Sequence, residues 1–190
     1  LHYISFEKNP LTLTHLKQAL TAWPALNYFS EQLTVNYPIN LEGCHRLEFN
    51  NGSVVLDLYF GDALESIKAM SYPQTGIVDA WYLNGLEPSK NPDMWQQSLF
   101  NSMADISRAN ATLSTFTAAD FVQRGLIEAG FSTKKAKDFN QREDMLIGQL
   151  KHVNNAQSPP AYFNQDSSTL KNVAVIGGGI ASSCILYSLA

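Results

Sequence analysis

The sequence predicts a doubly wound α/β domain on a mostly parallel sheet. Three observations lead there. Short apolar strand segments alternate with helix-length amphipathic segments, the pattern of βαβ units. The alternation closes on two consecutive strand segments, a terminal hairpin that puts one antiparallel strand into the sheet. And the apolar segment Val78–Leu83 ends in the polar Asn84 on a glycine turn, at the place where such folds carry their chemistry, beyond the carboxyl ends of the strands.

Each element can be justified in order. Residues 1–7 (LHYISFE) alternate and are rich in aromatic and branched side chains, so they read as a strand. Pro10 suits a first helical turn, after which Leu13, Leu16, Leu20 and Trp23 share one helical face as far as Pro24. A second short helix spans 26–35 and stops before Pro38. Residues 45–60 read as a β-hairpin around Asn51-Gly52, the dipeptide favoured where both turn positions need positive φ. Gly61-Asp62 ends its second arm and a helix follows over 63–70. After the strand Val78–Leu83, a helix over 94–107 carries Leu99, Phe100, Met103 and Ile106 on one face. A Thr-rich strand (111–116), a helix closed by Gly130 (118–129) and two antiparallel strands (131–139 and 143–150) complete a domain of residues 1–150. Over 151–171, Asn, Gln, Ser and Pro displace the apolar periodicity, which predicts a linker. A new strand at Val173 then opens a second domain, 172–190. The chain starts inside one element and stops inside another, so it is expected to be a piece of something longer. The element order up to residue 150 resembles that of a class I (Rossmann-like) methyltransferase from its second strand onward.

Composition narrows the function classes. The formal net charge of −4 advertises no global affinity for nucleic acid, although a local basic patch remains open. No apolar run approaches the roughly 18 residues of a membrane span. The two cysteines, Cys44 and Cys184, fall in segments assigned to different domains and read as reduced thiols. The four histidines show no metal-ligand spacing, so no metal is expected.

Five places carry candidate chemistry. Glu7 closes the first strand, where one carboxylate can accept from both hydroxyls of a ribose; a solvated strand-end carboxylate paired with Lys8 is the plainer reading. Asp62, after Gly61, can meet the exocyclic amine of an adenine or simply cap the helix after it. Asn84 can hold an amine N–H and point its lone pair in line, or it can serve as a turn residue; it offers a carbonyl oxygen but cannot take a proton. Gly177, Gly179 and Ser182 fit G-x-G-x-x-G after a strand, with Ser182 at the third position, and such a turn lets a backbone approach a pyrophosphate. The lysines at 134, 135 and 137 can meet phosphates or merely guard a sheet edge.

Several motifs together carry a family resemblance: FEKNPLT (6–12), LDLYFGD (56–62), DAWYLNG (79–85), PSKNPDMW (88–95), ATLSTFTAADFVQRGLIEAGF (111–131) and VIGGGIAS (175–182). In this order they resemble the bacterial bifunctional tRNA 5-methylaminomethyl-2-thiouridine biosynthesis proteins, over nearly the whole chain. The resemblance implies two activities on a wobble uridine of tRNA. An FAD-dependent oxidoreductase domain removes the carboxymethyl group from 5-carboxymethylaminomethyl-2-thiouridine, and a methyltransferase domain methylates the exposed amine with S-adenosylmethionine. It also implies that Glu7 and Lys8, with Gly61 and Asp62, bind the cosubstrate. Asn84, Gly85, Leu86 and Pro88 would flank the acceptor amine, and Gly177, Gly179 and Ser182 would hold the FAD pyrophosphate. It further implies a cytoplasmic, membrane-free monomer whose partner is tRNA. The family usually reads L-D-G-F-A-P where this chain has Leu83-Asn-Gly-Leu-Glu-Pro88, so an amide replaces a carboxylate and Leu86 an aromatic ring. Those departures support a second reading, a copy that has lost methyl transfer and serves as a tRNA-docking platform.

Overall fold

The computed structural model describes residues 1–85, 87–137 and 144–151, together with the backbone of Asn172–Ile176. In chain order the strands are β1 (His2–Glu7), β2 (Gly43–Phe49), β3 (Val54–Phe60), β4 (Val78–Leu83), β5 (Ser107–Thr115), β6 (Phe131–Lys137), β7 (Asp144–Leu150) and β8 (Asn172–Ile176). The helices are α1 (Leu13–Leu20), α2 (Asn27–Asn36), α3 (Ala63–Ala69), α4 (Gln97–Ile106) and α5 (Asp120–Glu128). The strands form one eight-stranded sheet in the order β2-β3-β1-β8-β4-β5-β7-β6.

The period of two along β1 divides the core between the two faces of the sheet. Ile4 and Phe6 join the larger cluster, with Trp81 of β4, Ile67 of α3, Leu99 and Met103 of α4 and Leu126 of α5. Tyr3 joins the smaller one, with Leu47 and Leu56, against which Leu33 of α2 packs. The larger cluster also holds a satisfied polar chain: the Trp81 indole N–H donates to Ser107 Oγ at 2.7 Å, and that hydroxyl donates to the Met103 carbonyl at 2.6 Å. A buried indole N–H needs such a partner, and this one ties β4, β5 and α4 together.

Among the described residues up to 151 the predicted strands and helices are present, with instructive shifts. Thr12, two residues beyond Pro10, caps α1 by accepting from the His15 N–H at 3.2 Å, so Pro10 lies outside the first helical turn. Leu16 and Leu20 are buried as the periodicity requires, whereas Leu13 and Trp23 are about two-fifths exposed. The hairpin turn is wider than the two residues expected: Phe49 pairs with Val54, and Asn50, Asn51 and Gly52 all take positive φ. The Asn50 side-chain amide and the Ser53 hydroxyl bond across that loop at 2.8 Å, which accounts for the extra width. The 94–107 helix begins later, at Gln97, because Pro92–Trp95 forms a 3₁₀ turn ahead of it. β2 and β7 both run antiparallel to their neighbours, so the expectation of one antiparallel strand is one short.

The largest departure concerns β8. The sequence assigns it to a second domain, yet its backbone lies in the middle of this sheet, parallel to both β1 and β4. The physical reason is local likeness. Central strands of parallel sheets commonly read as unbroken apolar runs, and the sequence Val173-Ala-Val-Ile176 is one. A strand leading into a glycine turn is also what opens any nucleotide-binding βαβ unit, so the segment has the form this central position requires. The 151–171 linker, from residue 152 on, lies outside the described residues.

Candidate functional site

In an open α/β sheet, ligands bind where the strand order reverses. From β1 the chain proceeds to β3 on one side of the sheet, and from β4 to β5 on the other, with β8 between. Ile176, the last residue of β8, pairs with Phe6 and with Leu83. The next residues on those two strands are Glu7 and Asn84, so the two sequence candidates stand on opposite sides of the reversal. Two inter-strand steps separate their backbones, about 10 Å.

The β1/β3 side is built from strand ends. Glu7 pairs in register with Phe60, and the Gly61 N–H donates to the Glu7 carbonyl at 3.0 Å. The Asn9 N–H donates to Glu7 Oε1 at 3.0 Å, which aims the carboxylate. Gly61 has φ +135°, a region side-chain-bearing residues avoid, and a Cβ there would sit 3.1 Å from the Glu42 carboxylate. Asp62 then caps α3, its Oδ1 accepting from the Leu64 and Glu65 N–H groups at 3.0 and 3.3 Å. The expectation of a cap there holds.

The β4 side is a loop. Asn84 and Gly85 come directly after the strand and are half-buried; Leu86 lies outside the described residues. A Cβ on Gly85 would come within 2.5 Å of Met94 Cε and 2.6 Å of its sulfur, so the thioether packs directly over this glycine and would have to shift for any larger residue. Pro88 is half-buried in a turn in which the Lys90 and Asn91 N–H groups donate to the Glu87 carbonyl at 2.8 and 3.1 Å. Trp95 anchors the far end of the loop in the core, its ring edge-on to Phe116 at 5.8 Å.

Two residues that sequence reasoning did not single out join the site. Asp93 receives the Lys8 ammonium at 3.3 Å, while Lys8 also reaches Asp62 at 3.5 Å. The Asp93 carboxylate, and Asp62 with it, push the Lys8 ammonium above its ordinary value. Tyr37 stands near Glu7; burial first, and that carboxylate second, raise its hydroxyl. The Pro88–Trp95 motif marked the loop but not Asp93 within it, and nothing local in the sequence marks Tyr37.

The remaining candidates divide. Gly177, Gly179 and Ser182 lie outside the described residues. The basic run falls on β6, the edge strand, where Lys135 pairs with Asp120 at 3.0 Å and Lys137 with Asp144 at 2.8 Å. That is the arrangement of an edge guarded by charge. Among the described residues no group of three His, Cys, Asp or Glu side chains could hold a metal ion, and no helix is long and apolar enough to cross a membrane.

A doubly wound, mostly parallel sheet whose strand order reverses between the ends of β1 and β4 is a Rossmann-like architecture. Residues 24–151 match the family model described as S-adenosyl-L-methionine-dependent methyltransferase, and the chain belongs to that family. Over 190 residues it is 70% identical to the tRNA 5-methylaminomethyl-2-thiouridine biosynthesis bifunctional protein MnmC of Pseudoalteromonas translucida, covering 100% of this chain and 28% of that protein. The protein of the same name from Aeromonas hydrophila is 46% identical over 189 residues, with the same two coverages. The chain thus spans 28% of the length of these curated relatives. A crystal structure of MNMC2 from Aquifex aeolicus superposes with a TM-score of 0.57 at 16% identity, covering 84% of this chain and 55% of that one, which supports the fold.

Proposed function

We propose that this chain is the methyl-transferring part of a tRNA wobble-uridine modifier. Its acceptor would be the aminomethyl group of 5-aminomethyl-2-thiouridine and its methyl donor S-adenosylmethionine. The observation that carries the reading is the pairing of Glu7 and Asp62 on one side of the reversal with Asn84 on the other. The curated relatives, named for tRNA 5-methylaminomethyl-2-thiouridine biosynthesis, supply the substrate class.

The roles rest on the donor and acceptor inventory of each side chain. Glu7 presents two carboxylate oxygens to the ribose diol, held in aim by the Asn9 N–H. Asp62 keeps Oδ1 on the α3 cap and has lone pairs left for the adenine amine. Asn84 accepts an N–H of the acceptor amine, so that the nitrogen lone pair lines up behind the methyl group. The neutral amine attacks that methyl carbon, the carbon–sulfur bond breaks, S-adenosylhomocysteine leaves, and the ammonium formed gives its proton to water. Asn84 takes no proton in this sequence. A partner FAD-dependent activity that removes the carboxymethyl group, with Gly177, Gly179 and Ser182 on the FAD pyrophosphate, rests on the sequence fingerprint and on the bifunctional naming of the relatives.

The test uses full-length protein with hypomodified tRNA, FAD and S-adenosylmethionine, and reads the digested nucleosides by mass spectrometry. The methylaminomethyl nucleoside is expected. Accumulation of the aminomethyl nucleoside alone would instead make this part a docking platform, the reading that Asn84 in place of a carboxylate favours. Asn84→Asp separates the two: an orienting Asn84 predicts a modest rate change, about threefold or less, whereas a copy silenced by losing the carboxylate would be revived.

A further inference from the structure

We propose that Lys8 is a positioning residue that clasps the acceptor loop to the cosubstrate side of the crevice, holding the gap across which the methyl group passes. This rests on the methyl-transfer reading above.

The argument starts from how each carboxylate is divided. Asp62 commits Oδ1 to two backbone N–H groups of α3 and turns Oδ2 to Lys8. Asp93 does the same on the other side: Oδ1 accepts from the Gln96 side-chain amide at 3.2 Å, and Oδ2 faces Lys8 at 3.3 Å. One oxygen of each fixes the carboxylate to its own element, and the other is left for the same ammonium. Lys8 itself comes directly after the last residue of β1, a strand end locked by the bond from the Gly61 N–H to the Glu7 carbonyl. The clasp therefore runs from a rigid strand end to a loop whose turns are local. An ammonium suits the task, since its three donors rotate freely and can serve two acceptors at once.

The loop has reason to need it. The turn of Lys90 and Asn91 onto Glu87, and the ion pair of Lys90 with Glu87 at 3.7 Å, close the loop upon itself. Met94 over Gly85 and Trp95 against Phe116 hold it to the β4/β5 side. The Lys8–Asp93 bond joins residues 85 apart in sequence and brings in the opposite side. In a methyl transfer the acceptor must sit in line at near-contact distance, and a displacement of about 1 Å can cost about a hundredfold in rate.

The experiment uses full-length protein with Lys8→Met, Lys8→Arg, Asp93→Asn and the Lys8→Met/Asp93→Asn double variant. The first readout is hydrogen exchange of peptides covering residues 87–96, without any ligand. Exchange should quicken by about threefold or more in each disruptive single variant and no further in the double, with Lys8→Arg near wild type. The second is kinetic: the methylation kcat should fall about tenfold in Lys8→Met and Asp93→Asn, while the Kd for S-adenosylhomocysteine stays within about twofold. Unchanged exchange in the single variants, or effects that add in the double, would overturn the clasp. A weakened Kd with unchanged exchange would make Lys8 a cosubstrate ligand and overturn it as well. Should wild-type protein show no methyl transfer at all, the functional reading fails, and the exchange measurement alone decides whether the clasp exists.

Discussion

The two sides of the crevice are built by different means. On the β1/β3 side each group sits at or just past a strand end and is fixed by regular structure: a register pair, a backbone bond across the strand tips and a helix cap. On the β4 side only Asn84 adjoins a strand. The chain beyond it is a loop held by its own turns, by one thioether over a glycine and by a buried tryptophan at its far end. A side fixed by sheet and cap is organised before any ligand arrives and can spend little of its binding energy on ordering. A loop can move with the substrate, and such segments come from the less stable part of a fold. The difference teaches where to look for each property. Lys8 apart, since it reaches both sides, changes on the first side should appear in cosubstrate affinity, and changes on the second in rate.

The sharpest test of that division is Glu7→Gln. An amide offers one acceptor where the carboxylate offers two, so under the proposed function the ribose diol would lose a charge-assisted hydrogen bond. The Kd for S-adenosylhomocysteine, by calorimetry on full-length protein, should rise about 10- to 100-fold. The melting temperature should scarcely move, since the Gly61-to-Glu7 bond that holds the strand end uses the backbone. An unchanged Kd with a lower kcat would reverse the division between the two sides.

Acid should loosen the first side before the second. Asp57, in the middle of β3, is 3% exposed; its carboxylate takes Arg46 at 2.8 and 2.7 Å and His2 at 2.7 Å, joining β1, β2 and β3. Burial alone would raise this carboxyl, but the Arg46 and His2 hydrogen bonds outweigh it and hold it at about 2. A depressed folded-state value contributes stability above the unfolded value of about 3.9 and loses it as pH falls through the folded one. Between pH of about 4 and about 2 the chain should therefore lose on the order of 2 kcal/mol through this group. Denaturant titrations across that range should show the slope, and Asp57→Asn should flatten it. A slope unchanged in that variant would assign the acid sensitivity elsewhere.

The same contrast explains what the sequence made legible. Val78–Leu83 is observed with the bounds its apolar run predicts, and the buried stripe of Leu99, Phe100, Met103 and Ile106 is as the helical period requires. Both signals are local and repeat along the chain. Glu7 and Asp62 could be placed because strand ends can be read from such patterns. Asp93 could not, because its meaning comes from Lys8, 85 residues away, and no period connects them. Asn50 carried a further local clue that the Asn-Gly rule overrode, since its bond to Ser53 widens the turn. β8 is the hardest case: its apolar run followed by glycines reads equally well as the start of a second nucleotide-binding unit and as the central strand of this one.

The smallest effect gives the finest separation, at Asp62, where the observed cap and the proposed ligand role fall on one carboxylate. Asp62→Ala removes the acceptor for the Leu64 and Glu65 N–H groups and should cost about 1 kcal/mol of stability, together with cosubstrate affinity. Asp62→Asn keeps an oxygen for the cap, because Asn caps about as well as Asp. Its amide nitrogen, however, would then face the Lys8 ammonium and the adenine amine, donor against donor. The Asn variant should melt like wild type yet bind S-adenosylhomocysteine several-fold more weakly, about three- to tenfold. Loss of stability in Asp62→Asn would show that the charge itself holds the start of α3. Full affinity in that variant would take Asp62 out of the cosubstrate site and leave Glu7 as the group that defines the first side.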